Sequence, residues 1–470
     1  MRSDTTDFPL KNTLINNFVE YGKDIFTNNK ESIIDIRKQA YTKFIEQGLP
    51  TQKLEAWRNT DLTAVYNEEY DHYYTQANVI KDIDSVFQCN IPHLNTTMIA
   101  LLNGWYVYKD VPLKTMADGT IIGSFAEAMK VYPEIFDKYY AKYATSKDDG
   151  FIALNTAMAQ DGFFIYVPDN VQVKKPIQIV NVIDYDKNIF LQTRNLIILG
   201  KNAELTLIHC DDSYNHQKCL CNTVSEIVQD ENSYLDHYKM QNVNNNSTLI
   251  NSSYFYMKNN ARLTTNGMSL NGGILRNNNH ITIDGEGCET NVYGLYLMDK
   301  KQHIDNQVFI DHAKPNSMSN ELFKGIMDDT ASGVFNGHVL VRRDAQKTNA
   351  FQRNKNILLT DKAKVNSKPF LEIYADDVKC SHGATVGQLD TEAMFYIRSR
   401  GISEDSARML LMYAFCDEII QKITVEPLKH RLEDMVKKRL RGELSVCAQC
   451  VLHCSHPEKE FNFEIDLSKI

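Results

Sequence analysis

Three groupings of cysteine and histidine have the residue types and spacing to hold a borderline or soft metal. The first is Cys380-Ser381-His382. In an extended strand, residues two apart point to the same side, so a thiolate and an imidazole stand together there, both good ligands for iron or zinc. Two ligands do not complete a four-coordinate site, and the rest must come from elsewhere in the chain, from water or from a partner. If Val378 faces the core, strand parity sends Cys380 and His382 inward too unless a bulge intervenes. A buried thiol and a satisfied core histidine are then the alternative reading.

The second grouping is His209, Cys210, Asp211, Asp212, His216, Cys219 and Cys221, gathered around one turn between strands. Cys219 and Cys221 share a strand face, as do His209 and Asp211. The third is Cys447, Cys450 and Cys454 with His453 and His456. Cys-x-x-Cys with another cysteine and nearby histidines has the ligands of a small zinc or iron–sulfur site. It lacks the second Cys-x-x-Cys of a two-knuckle zinc motif.

These residues must be positioned by the surrounding elements. In a mainly helical N-terminal region, 1–150, Leu14, Phe18, Ile25, Ile33, Ile36, Ala40, Phe44 and Ile45 fall mostly at helical spacings until Gly48 and Pro50. A second helical patch runs from Ser124 to about Tyr143, before the break at Lys147-Asp148-Asp149-Gly150. Over 151–389 the texture turns to short β-rich runs such as Ile177 to Val182 and Leu196 to Leu199, punctuated by Asn, Asp and Gly. A polar turn followed by a small residue recurs at Ala203, Ser233, Ala261, Cys288, Ala331 and Ala363, with steps of 30, 28, 27, 43 and 32. A period near thirty in β-rich sequence predicts a mainly β fold with a parallel β-helix core. The 43-residue step reads as a coil with an insertion or an irregular coil. The triplets Asn244 to Asn246 and Asn277 to Asn279 suit turn residues or stacked amide ladders between coils.

Helices return over 390–446. Asp390 can N-cap a helix ending at Gly401, Ser403 can cap the next, and Pro427 can open a third. In the third, Leu428, Leu432, Met435, Val436 and Leu440 form one stripe, and Lys429, His430, Arg431, Lys437, Lys438 and Arg439 make the rest basic. That helix is either a cap with a solvated face or a docking element for a partner. Residues 447–470 form the Cys/His-containing tail.

Composition narrows the function. Apolar residues at 43% and charged residues at 24% argue for a folded chain. A net charge of -9 would repel a phosphate backbone, so nucleic acid is not expected as a partner. No apolar run reaches membrane-span length and no secretory leader pattern opens the chain, so a cytoplasmic protein with reduced thiols and no membrane partner is expected. The phosphate-loop, nucleophile-elbow and zinc-helix motifs are missing, which predicts no enzymatic activity. The rival class is a carbohydrate-active β-helix enzyme, a lyase or hydrolase, which would need clustered carboxylates along a groove.

The run from Asn349 to Gly401, centred on Leu371-Glu372-Ile373-Tyr374-Ala375-Asp376-Asp377-Val378-Lys379-Cys380-Ser381-His382-Gly383-Ala384-Thr385, resembles the SufB/SufD family of iron–sulfur cluster assembly proteins, and its SufD branch more closely. Gly48-Leu49-Pro50-Thr51 with Lys53, Glu55, Ala56, Trp57, Thr60 and Asp61 is similar to the family's N-terminal motif, with Asn59 where Tyr is usual. The resemblance implies a right-handed β-helix core flanked by helical regions, working in a complex with a SufB-like scaffold and a SufC-like ABC ATPase. The positions matching a cluster-linked Cys and Glu of SufB hold Asn354 and Gly383, whereas the SufD-type Cys380 and His382 are present. It therefore implies that His382, and less directly Cys380, serve iron entry or cluster ligation at a shared interface. Any iron or cluster there would be transient, with no stable cofactor on the isolated chain, and the C-terminal helices would bind the ATPase. The tail lies outside the resemblance, and whether the isolated chain homodimerises is left open.

Overall fold

The computed structural model describes residues 8–26, 29–72, 74, 94–107, 111–147 and 149–441. Its centre is a parallel β-solenoid of about seven turns. Each coil gives one strand to each of two facing sheets, one of eleven strands and one of ten, in which every second strand of the sequence is hydrogen-bonded to the next. From Glu204–Ser213 onward most strands are ten residues long and pair in continuous register, with one shift between Gln241 and Asn242.

The period-two pattern explains the core. Inward residues such as Leu263, Val292, Phe323 and Phe335 meet in one interior cluster. Many of their outward neighbours are covered as well, by the N-terminal region on one sheet and by the C-terminal helices on the other. The outer face of one sheet, at Phe190, Leu220 and Ile250, receives Phe44, Trp57, Tyr66 and Phe151 from the N-terminal region. The outer face of the other, at Leu295, Leu322 and Ile326, receives the helices Glu404–Ile420 and Glu426–Leu440. The helix Gly150–Met158 is buried along its whole length. Asn155 staples it to the sheet, donating from Nδ2 to the carbonyls of Thr193 and Asn222 at 2.9 Å each.

The recurring small residues are buried at the corners where the chain turns between sheets. The 43-residue step proves to be neither an insertion nor an irregular coil. Ala203, Ser233, Ala261 and Cys288 occupy one corner, which continues to Ser317 and Thr348, whereas Ala331 and Ala363 lie at the opposite corner. Steps of 29 and 31 residues, from Cys288 to Ser317 and on to Thr348, restore the period. Beside the first corner, Asn202, Asn232 and Asn260 take left-handed backbone and stack their amides, with Nδ2 to Oδ1 distances of 3.0 and 3.1 Å. Asn277 extends the amide-ladder reading into the solenoid, donating to Asn306 Oδ1 at 3.1 Å.

The division expected at residue 150 is not where the solenoid begins. Thr97–Leu102 pairs with Ile177–Ile183, and Ile121–Ser124 pairs with Phe163–Val167, so strands of the N-terminal region close the first coils. At the other end the caps are as expected. Asp390 accepts from the Glu392 and Ala393 N–H groups, Ser403 accepts from Ser406, and Gly401 takes φ 84°.

Candidate functional site

The last two strands, Lys364–Ile373 and Lys379–Gly387, terminate the two sheets, and no strand of the described residues pairs with their outer edges. Parity decides what those edges offer. The Lys364 N–H donates to the Ala331 carbonyl, Tyr374 to Val341, and Lys379 to Thr348. The alternate residues therefore turn their peptide groups to the free edge: Val365, Ser367, Pro369, Leu371 and Ile373 on one strand, Cys380, His382, Ala384 and Val386 on the other. Val365, Leu371 and Cys380 pack against the interior cluster, so this same set points its side chains inward.

Cys380 and His382 thus share the inward face with Val378, with no bulge between them. Their fates differ at the final described coil, beyond which no strand of the described residues stacks. Cys380 is half-buried, and burial raises its thiol pKa. His382 is exposed, and its Nδ1 lies 3.0 Å from the Pro369 carbonyl. A carbonyl only accepts, so Nδ1 carries the hydrogen, and in the neutral imidazole Nε2 then presents its lone pair. That is the arrangement of a histidine ligand oriented by a backbone oxygen.

Polar residues that the sequence reading did not single out lie beneath. Gln352 is in register with His382, and Glu321 with Gln352. Glu321 is fully buried, and desolvation pushes its carboxyl up to about 8. Gly337 makes room for the amide, since a Cβ there would stand 2.1 Å from Gln352 Nε2. Beside them Asn354 accepts from Asn356 Nδ2 and Ser367 Oγ, both at 2.7 Å, and donates to Tyr296 Oη at 3.0 Å. The available signal was a polar residue at an inward position in successive strands.

The second grouping does not converge on a metal site. Among the described residues no group of three or more His, Cys, Asp or Glu is arranged to hold an ion. His209 and Asp211 point into the solenoid and pair at 3.3 Å, with Lys239 Nζ 3.1 Å from the carboxylate. Cys219 and Cys221 lie in the interior apolar cluster, where burial raises both thiols, Cys221 to about 11. Cys210 packs on the other face of its strand and His216 is exposed in the turn. Cys447, Cys450, Cys454 and His456 lie outside the described residues.

The expected docking stripe also needs correction. Leu428, Leu432, Met435 and Val436 are 0 to 2% exposed, because they hold their helix against the solenoid. Arg439 fixes that helix further, donating to the Leu270 carbonyl at 2.6 Å and to Asp299 at 2.8 Å. Exposed apolar surface sits instead on the helix Thr391–Arg398, which buries no residue and leaves Phe395 75% and Tyr396 60% exposed.

The described residues form a stacked parallel solenoid whose last two strands have unpaired outer edges, with Cys380 and His382 on one of them. Residues 182–415 match the family model described as SUF system FeS cluster assembly, SufBD core domain, and residues 9–179 match the SufBD protein N-terminal region. The chain belongs to this SufBD family, on its SufD branch, and acts in iron–sulfur cluster assembly. It is similar to a SufBD family protein of Synechocystis, 31% identical over 83% of this chain and 87% of the relative. It is likewise similar to the iron–sulfur cluster assembly protein SufD of Escherichia coli, 28% identical over 86% and 92%, and to SufD of Bacillus subtilis, 26% identical over 69% and 74%. Among the described residues no helix is long and apolar enough to cross a membrane.

Proposed function

We propose that this chain is a non-catalytic, cytoplasmic SufD-like subunit whose open solenoid end joins a SufB-like scaffold and whose C-terminal helices meet a SufC-like ABC ATPase. Iron, or a growing cluster, is cargo at the seam between the solenoids. One observation carries the reading: the two unpaired edges, with His382 Nε2 free at their margin. A partner that extends both sheets satisfies the unpaired peptide groups and supplies the ligands that one His and one Cys lack. Asn354, engaged in its own amide network, offers no thiolate, which fits a supporting site and not a complete one. Phe395 and Tyr396 give the ATPase an aromatic surface next to that seam. The carbohydrate-active reading has no support in the family. The test is to co-express the chain with SufB-like and SufC-like partners and measure iron and sulfide in the purified complex. Cluster content should fall for His382→Ala at unchanged stoichiometry. Unchanged loading would remove His382 from the site, and failure to form the complex would remove the partner assignment.

A further inference from the structure

We propose that Pro369 is a positioning residue for His382, leaving a gap in the partner seam at the site and fixing the imidazole with Nε2 facing that gap. This rests on the seam just proposed. Along Lys364–Ile373, Val365, Ser367, Leu371 and Ile373 each turn an N–H and a carbonyl to the free edge. Pro369 has no N–H to offer, so a strand paired there loses a bond at this one point. Its carbonyl is not left to the partner either, because the His382 Nδ1–H takes it at 3.0 Å. Both ladder groups of one residue are therefore withdrawn from pairing where the imidazole crosses from the facing strand. On that facing edge the free groups of Cys380, His382, Ala384 and Val386 run without interruption. The interruption is thus confined to Pro369 and coincides with the candidate ligand. Ordinary edge protection by proline would account for the missing donor, but not for the carbonyl being spent on the Nδ1–H of His382.

Two measurements test this. In the isolated chain labelled with 15N-histidine, His382 should appear as the Nδ1–H tautomer, with a pyridine-type Nε2. An Nε2–H tautomer, or a mixture of the two, overturns the proposal without touching the seam. In the complex with the SufB-like partner, Pro369→Ala restores the donor and lets the ladder close. Partner affinity should stay equal or tighten, while cobalt(II) binding that depends on His382, defined by the difference from His382→Ala, weakens about tenfold or more. Wild-type cobalt binding by Pro369→Ala overturns the proposal, as does a parallel loss of partner and cobalt, which would make Pro369 only structural. A wild-type chain that fails to bind the partner overturns the seam instead.

Discussion

The Gln352 amide spans both carboxylate oxygens of Glu321, with Nε2 3.1 Å from each, one coil inward of His382. Burial lifts the Glu321 carboxyl from 4.5 to about 8, so the folded chain keeps a proton that the unfolded chain has released. The stabilisation this gives is complete below the unfolded value and drains away as pH rises towards the folded one, at about 1.4 kcal/mol per pH unit. Glu321→Gln keeps the shape and removes the proton. Urea unfolding should find the variant more stable than wild type at pH 8, with the difference shrinking towards pH 5. A constant offset between the two curves would mean that Glu321 does not titrate in this window.

Arg194 and Glu226 form an ion pair at 2.5 Å with side chains 0% and 1% exposed. Glu226 also accepts the N–H groups of Ala141, Tyr143 and Ala144 at 2.9, 2.9 and 3.1 Å, tying the N-terminal region to the solenoid. Breaking one side of such a pair leaves a buried charge uncompensated and costs about 3–5 kcal/mol. Glu226→Ala should destabilise the chain by that order and speed amide exchange first at residues 141–144. Uniform exchange across the solenoid would contradict the local tether.

Exposure separates docking from packing in the C-terminal helices. Phe395→Ala and Tyr396→Ala should leave unfolding midpoints within about 0.5 kcal/mol of wild type while weakening ATPase binding by about 2 kcal/mol each. Leu432→Ala, from a fully buried position, should do the reverse and cost about 2–5 kcal/mol of stability. Calorimetric titration with the ATPase, paired with denaturation, distinguishes them. Equal ATPase affinity for all three variants would place the docking surface elsewhere.

The solenoid was legible because every coil repeats the same burial requirement, so corners and strand parity recur at a fixed spacing. Counting small residues failed once, where Ser317 and Thr348 hold the corner that Ala331 and Ala363 do not. The apolar stripe from Leu428 to Val436 was visible, but an amphipathic helix has the same pattern whether it faces its own solenoid or another protein. Cys380 and His382 could be named from types and spacing, and parity correctly set them inward. Their partial exposure was hidden because it depends on this being the last coil. Gln352 and Glu321 were missed because single polar residues in strands carry no local signature, and only the stacking register aligns them with His382.

The central claim is that the open end of the solenoid is completed by another subunit. Hydrogen exchange at the backbone amides of Cys380, His382, Ala384 and Val386, which face the free edge, tests it most directly. These four amides should exchange rapidly in the isolated monomer and become strongly protected with the SufB-like partner, while Ser381, Gly383 and Thr385, bonded inward, change little. Unaltered rapid exchange at the four edge amides in a stable complex would contradict the account.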